Sequence, residues 1–392
     1  MNPFDDELCR RLEALREQGL RRELRRVDSP QSPRVQIGGK AYLNFSSNDY
    51  LGLANHPALK DAASKAVKKF GAGAGASRLI CGSLAPFHEL EETLANFKGT
   101  QAALTFSTGY AAALGTITAL VGKNDIIIID KLVHACIVDA AKLSGAKLRV
   151  FDHNDLNDLE SILKWATKAR SKETQILIAT ESIFSMDGDA APLREIVALK
   201  ERHDAWLLVD EAHATGLYGK NGRGLAEEFD VRDRIEIQMG TLGKALGASG
   251  GYICGSRALV DFLVNRARSF IFSTAPVPAA ATAATAGILL VQSEAGKSLK
   301  EKLWTRVREF QSAIADPPSP IPSAIVPLLI GDETKAVELA AKLREQGIFI
   351  PAIRYPTVAR GGARLRVTLT AAHAAKDVAE LLGALRTLGI KL

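Results

Sequence analysis

The chain reads as an α/β protein: a mostly parallel sheet wrapped by helices, with a smaller α+β domain at its C-terminal end. Three observations predict this. Between residues 102 and 239, short apolar runs alternate with longer stretches whose apolar positions recur at helical spacing. The runs are apolar throughout rather than at every second position, as expected of strands buried on both faces of a parallel sheet. Toward the C-terminus the pattern changes to a long helix with a low-charge start, followed by separated strand candidates. At 392 residues the chain is long for one core. The expected division is an N-terminal arm over 1–45, a large domain over 46–285 and a small domain over 286–392.

Taken in order, residues 5–26 carry Leu8, Leu12, Leu15, Leu20 and Leu24 among many charges, an amphipathic helical arm. Arg21, Arg22, Arg25 and Arg26 lie on it, and their spacing alone makes them a solvated face. A short strand at 42–45, a polar turn at 46–52 and a helix at 58–70 follow. The run 71–78, Gly-Ala-Gly-Ala-Gly-Ala-Ser-Arg, is too small-sided to pack as a core element and reads as a loop where backbone passes close to something. A helix at 86–97 has Pro86 in its first turn and Glu89, Glu91 and Glu92 near its positive end. From there the expected strands are 102–106, 126–130, 147–151, 176–180, 206–210, 235–239 and 251–254. The helices between them are 111–120, 133–144, 155–169 and 192–203. In the C-terminal part a helix over 279–308 and a turn cluster over 317–322 precede strands at 325–330, 348–353 and 364–369, with a helix at 334–346.

Composition bounds the functional classes. Hydrophobic residues make up 47% of the chain and charged residues 24%, the balance of a soluble globular protein. Fifty basic against 44 acidic residues give +6. The charges are interspersed rather than gathered into arms, so no nucleic-acid partner is implied, while an anionic small substrate stays open. Cys9, Cys81, Cys136 and Cys254 lie far apart without metal-ligand spacing, which argues against a zinc site and a disulfide framework and fits reduced thiols in a cytoplasm. The N-terminal residues lack an apolar signal core, and no run approaches ~18 uninterrupted apolar residues, so neither export nor a membrane span is expected.

In parallel sheets ligands sit beyond the carboxyl ends of the strands, and the polar residues of this chain gather there. Asp130 and His134 follow one strand, Glu181 to Asp187 another, and Asp210 and His213 a third. Lys244 follows a fourth, in Gly240-Thr241-Leu242-Gly243-Lys244-Ala245-Leu246-Gly247, where glycines let backbone approach a bound group. Ser107-Thr108-Gly109-Tyr110 turns a strand into a helix N-terminus. Its N–H groups and dipole suit a phosphate, and an ordinary N-cap is the other reading.

Two motifs mislead. Asp210-Glu211-Ala212-His213 matches a DEAH box, but a nucleotide-driven helicase also needs GxxxxGK[ST]. The nearest candidate, Ala295-Gly296-Lys297-Ser298, has Val291 where the first glycine belongs and lies after the acidic strand. Gly247-Ala248-Ser249-Gly250-Gly251 fits GxSxG, but its strand follows rather than precedes it. The inventory instead matches pyridoxal phosphate (PLP), which needs a Schiff-base lysine, a carboxylate on its pyridinium nitrogen, donors at its phenolic oxygen, a ring-face partner and a phosphate cup. Asp210 at a strand end with Lys244 after the next strand is the order of the large aminotransferase-like class.

Asn44-Phe45-Ser46-Ser47-Asn48-Asp49-Tyr50-Leu51-Gly52, Gly75-Ala76-Ser77-Arg78-Leu79, Phe184-Ser185-Met186-Asp187-Gly188-Asp189, Asp210-Glu211-Ala212-His213 and Thr241-Leu242-Gly243-Lys244 together resemble the α-oxoamine synthases, over about residues 19–370. The resemblance implies the aminotransferase-like, fold type I architecture and PLP. It implies that Lys244 forms the Schiff base and then acts as general base, and that Asp210 pairs with the pyridinium nitrogen. His213 and Ser185 would sit near the phenolic oxygen, and His134 would stack on the ring. Gly109, Tyr110 and Thr241 would bind phosphate, and Ser273 and Thr274 would reach the phosphate of a neighbouring subunit in a homodimer. Arg22, His134, Thr357 and Arg366 would contact substrate. The implied reaction is a decarboxylative condensation of L-alanine with a pimeloyl thioester, carried on coenzyme A or an acyl carrier protein. Glycine C-acetyltransferase, aminolevulinate synthase and serine palmitoyltransferase share these cofactor motifs and stand as alternatives. The general-base step requires the Lys244 amine to be neutral near pH 7.

Overall fold

The computed structural model describes residues 2–314 and 320–390, so residues 317–319 of the expected turn cluster lie outside the described residues. The chain divides into two compact units, one of Met1–Tyr50, Met186–Gly188 and Lys302–Leu392, the other of Leu51–Ser185 and Asp189–Glu301. In chain order the first unit holds β1 (Arg34–Ile37) and β2 (Lys40–Asn44). The second holds β3 (Ala102–Phe106), β4 (Ile126–Asp130), β5 (Lys147–Phe151), β6 (Ile176–Glu181), β7 (Trp206–Asp210), β8 (Ile237–Thr241) and β9 (Gly251–Gly255). The first resumes with β10 (Ile325–Gly331), β11 (Ile348–Phe349), β12 (Ala352–Ile353) and β13 (Ala363–Thr368).

The second unit is built on a seven-stranded sheet of order β3-β9-β8-β7-β6-β4-β5. Strands β4 to β8 run parallel, and β9 runs antiparallel to both its neighbours, β3 and β8. Strands β3, β4, β6 and β9 are buried at every position, which is the physical reason they read as unbroken apolar runs. Strand β8 begins at Ile237 instead of 235, because Arg232–Arg234 forms a 3-10 turn. Glu236 then reaches out to Lys200 Nζ at 2.5 Å and to the Leu207 N–H at 2.9 Å. The helix expected over 279–308 is two helices, Pro278–Gln292 and Glu294–Gln311. Ser293 ends the first in extended backbone, and its hydroxyl accepts the Gly296 N–H of the second at 3.3 Å.

The first unit carries two three-stranded sheets, β1-β2-β11 and β10-β13-β12. The single strand expected at 348–353 is split between them: β11 pairs parallel with β2, and β12 antiparallel with β13. Pro351, which has no N–H to give a ladder, marks the division. The N-terminal helix covers only Pro3–Glu17, buries none of its residues and is followed by Gly19 at φ +66°. Residues 20–26 are therefore not helical, contrary to the expectation for the whole arm. Arg354 holds this segment instead, donating to the Gly19 carbonyl at 2.8 Å and the Arg21 carbonyl at 3.0 Å.

Candidate active site

Strand β7 ends on Asp210, which is buried and stands opposite Glu181 of β6 and Met239 of β8. The turn after it is shaped by Asp210 itself, whose carboxylate accepts the Ala212 N–H at 2.9 Å. Glu211 anchors the same turn from below through a buried ion pair with Lys98. So placed, His213 brings Nε2 to 2.7 Å from Lys244 Nζ. Two protonated nitrogens cannot make such a contact, because one of them has to accept; the amine and the imidazole share a proton.

Lys244 lies on the connection between β8 and β9, which is closed by Leu242 N–H to the Gly250 carbonyl and by Ala248 N–H to the Leu242 carbonyl, both at 2.9 Å. Gly247 is required there: φ is +68°, and a Cβ would fall 2.5 Å from Leu53 Cβ.

His134 caps the helix Ala135–Ser144, its Nδ1 accepting the Cys136 N–H at 3.2 Å with Cys136 Sγ 3.0 Å from the same nitrogen. Burial lowers its pKa; Asp210 and Asp139 pull it up and Lys244 pushes it down. Burial raises the pKa of the Asp210 carboxyl, opposed by Lys244 and by the Ala212 N–H. Glu181 is pushed much further, by burial first and then by Asp210, and its Oε1 has no hydrogen-bond partner. Burial thus pushes both adjacent carboxyls upward, Glu181 more than Asp210.

After β3, Thr108 caps the helix Gly109–Leu120, its hydroxyl accepting the Ala111 N–H at 3.0 Å. Strand β9 presses on this turn. A Cβ on Gly251 would lie 2.5 Å from the Gly109 N, the Gly109 Cα and the Thr108 carbonyl oxygen, while one on Gly109 would be 3.8 Å from Thr241 Cβ. The result is a cradle walled by backbone and threonine, with first-turn N–H groups that the helix itself does not use. The Tyr110 side chain is engaged elsewhere, its hydroxyl 2.5 Å from Asp139, which leaves its first-turn N–H as the group it has to offer an anion.

The glycine-rich loop meets the chain through its last residues: Ser77 bridges Thr274, and the Ala275 N–H donates to the Ala76 carbonyl at 3.0 Å. At Gly71, Gly73 and Gly75 an added Cβ would meet nothing within 4 Å. The close approach expected at these glycines is therefore not made by this chain.

Ser185 is buried in a loop closed by the Ile183–Ala190 bridge and by Phe184 N–H to the Asp189 carbonyl at 3.0 Å. That loop is held by a residue the sequence reading missed. His153, just after β5, sets Nδ1 2.9 Å from Asp130 Oδ1 and Nε2 2.7 Å from Asp189 Oδ2, with its ring edge-on to Phe184. Burial alone would lower its pKa; hydrogen bonds and charge from the two carboxylates overrule it and raise it to about 10. Asp130, also bonded to the Leu132 and Asn154 N–H groups at 2.8 and 2.9 Å, is thus an anchor for loops. The signal was present in Asp152-His153-Asn154, a polar cluster at a strand end like the others.

The remaining candidates belong to the first unit. Arg22 Nη2 donates to Thr357 Oγ1 at 3.3 Å. Arg366 is buried on β13, with Nη1 3.1 Å from Asn48 Oδ1 and 3.0 Å from Thr368 Oγ1.

An amine paired with an imidazole, a buried carboxylate beside them, a second imidazole and an anion cradle fit PLP in each of its parts. The model of the aminotransferase class I and II family matches residues 40–385. Similar proteins include an 8-amino-7-oxononanoate synthase of Geotalea daltonii, 46% identical with 100% of this chain and 99% of that one covered. Another, from an Anaeromyxobacter species, is 50% identical over 97% of this chain and 95% of its own. A solved serine palmitoyltransferase of S. paucimobilis with bound PLP has a TM-score of 0.90 at 30% identity, covering 98% of both chains.

Proposed function

The chain belongs to the aminotransferase class I and II family, as a PLP-dependent acyltransferase of the α-oxoamine synthase type, and from that membership we propose that it makes 8-amino-7-oxononanoate for biotin synthesis. The substrates in this reading are L-alanine and a pimeloyl thioester of coenzyme A or an acyl carrier protein. The alanine Cα–H bond breaks and a bond forms from Cα to the thioester carbonyl carbon. The C–S bond breaks and the thiol leaves with a proton; the alanine carboxylate departs as CO2, and Cα is reprotonated.

When bound, PLP supplies the electron sink for charge at Cα. The observation that carries the reading is Lys244 Nζ at 2.7 Å from His213 Nε2 beside buried Asp210. Lys244 would hold the cofactor, and its amine, once displaced by the amino-acid substrate, would move the proton at Cα. Asp210 holds the proton of the pyridine nitrogen. His213 and Ser185 would hydrogen-bond the phenolic oxygen, and His134 would cover the ring face. The Gly109 and Tyr110 N–H groups and Thr241 take the phosphate, with Ser273 and Thr274 serving the neighbouring subunit of a homodimer. Arg366 receives the alanine carboxylate as a planar charged donor. Arg22 with Thr357 receives the far carboxylate of the pimeloyl chain.

Borohydride reduction followed by peptide mapping tests the attachment; a pyridoxyl label on any residue but Lys244 overturns it. Turnover of alanine, glycine and serine against acyl thioesters of graded length tests the substrates. The expected result is activity with alanine and pimeloyl thioester, and a preference for serine or glycine would assign the chain to a sister reaction.

A further inference from the structure

His134 is more tightly specified than a stacking ring requires. Its Nδ1 receives the backbone N–H of Cys136 at 3.2 Å, the bond that caps the helix Ala135–Ser144, and Cys136 Sγ lies 3.0 Å from the same atom. A backbone amide can only donate, so Nδ1 has to present a lone pair for as long as the cap exists. The thiol is then a second donor to that lone pair. Its environment keeps it an S–H: burial, followed by Asp210 and Glu181, raises its pKa far above the ordinary thiol value.

We propose that Cys136 is a positioning residue that, together with the helix cap, locks His134 as the neutral imidazole with its proton on Nε2. The charged and titratable groups around the ring do not undo this: Asp210 and Asp139 favour the cation, while burial and Lys244 oppose it. Nε2 is consequently a hydrogen-bond donor and never a base, which leaves the proton at Cα to Lys244. That consequence rests on the function proposed above. The state of the ring does not, since the cap and the thiol contact belong to the chain alone.

The test is nitrogen NMR of 15N-histidine-labelled protein, loaded with PLP and stripped of it, with His134 assigned by its loss in His134→Asn. The expected spectrum has an unprotonated acceptor Nδ1 and a protonated Nε2, both unchanged from about pH 5.5 to 8.5, the range in which an ordinary histidine titrates. Cys136→Ala removes a hydrogen bond that only the neutral ring can accept. With the titration continued below pH 5.5 until the wild-type midpoint is reached, the midpoint of the variant should lie about half to one pH unit higher, the worth of one neutral hydrogen bond. Cys136→Ser, which keeps a donor, should restore the wild-type midpoint. A wild-type ring that titrates near the ordinary imidazole pKa, or carries its proton on Nδ1, overturns the lock. An Ala variant indistinguishable from wild type removes Cys136 from it. The stripped protein gives this answer even where borohydride labelling misses Lys244, so the two readings fail separately.

Discussion

Asp210 shows how one side chain serves both the fold and the chemistry. One carboxylate oxygen shapes the turn that aims His213, and the group as a whole is buried next to Lys244 and Glu181. Asp210→Asn preserves size and the option of accepting the Ala212 N–H, but a neutral amide cannot hold a proton on a pyridine nitrogen. The expected outcome is a folded, PLP-binding protein whose kcat falls on the order of 100-fold or more, about 3 kcal/mol of lost transition-state stabilisation. Steady-state kinetics with PLP content measured in parallel checks it, and wild-type turnover would take Asp210 out of the mechanism. In the proposed substrate site, the contact of Arg22 with Thr357 favours it over the three other arginines named on the arm. Arg22→Ala should raise the KM of the acyl donor by the equivalent of about 1.5 to 3 kcal/mol, and Arg366→Ala should weaken alanine binding instead. Varying both substrates on both variants decides this. An effect of Arg21→Ala or Arg25→Ala on the donor with none from Arg22→Ala would mean a different register.

At the scale of elements, the anion cradle depends on how closely β9 approaches the helix start at Gly109. Gly251→Ala places a methyl 2.5 Å from the Gly109 backbone, so that turn has to shift. A loss of about 1 to 3 kcal/mol in stability is expected for such overpacking, together with at least tenfold weaker PLP binding in a fluorescence titration. Unchanged affinity would show that the cradle lies elsewhere. The loop of Ser185 depends in the same way on His153. Its folded pKa, about 10, exceeds the ordinary imidazole value, so its contribution to stability is complete below about pH 6.5 and fades as pH rises toward 10. The Tm gap between wild type and His153→Gln should therefore be widest near pH 6 and close near pH 10. A gap that is constant with pH would mean that packing against Phe184 is all His153 does.

These elements also show what a sequence carries. Strands β3, β4, β5 and β7 have the expected bounds because apolar runs and polar strand ends are local properties. The boundaries that moved did so for reasons that apolar periodicity does not register. Glu236 leaves the ladder for Lys200, Ser293 turns a helix at its corner with Gly296, and β11 and β12 join different sheets. Lys244, Asp210 and His213 were legible as motifs with a required chemistry. The roles of His153, Glu181 and Cys136 were not, since each depends on which strand end lies beside which, and a single sequence does not state that pairing.

For the molecule as a whole, the described residues include no helix long and apolar enough to cross a membrane. Large apolar side chains stay uncovered next to the Ser77–Thr274 bridge: Leu79 at 50% exposure, Ile80 at 78% and Phe272 at 71%. Exposed apolar groups gathered at one place mark an interaction surface, and the proposed homodimer covers them. Ile80→Glu with Phe272→Glu should yield a monomer by sedimentation that binds PLP poorly, since Ser273 and Thr274 would no longer reach the neighbouring cofactor. A monomer with full activity ends the shared-site reading.

The inserted strand β9 also imposes an order on biosynthesis. Thr108 and Gly109 leave the ribosome early, whereas Gly251, the residue that closes their turn, is made about 140 residues later. At ordinary rates of elongation that is an interval on the order of ten seconds. During it β3 lacks its partner, because among the described residues β9 is the one strand of this sheet with which it pairs. Until β9 is made, the nascent chain can complete neither this pairing nor the turn that Gly251 closes, so the proposed cradle is a late product of synthesis.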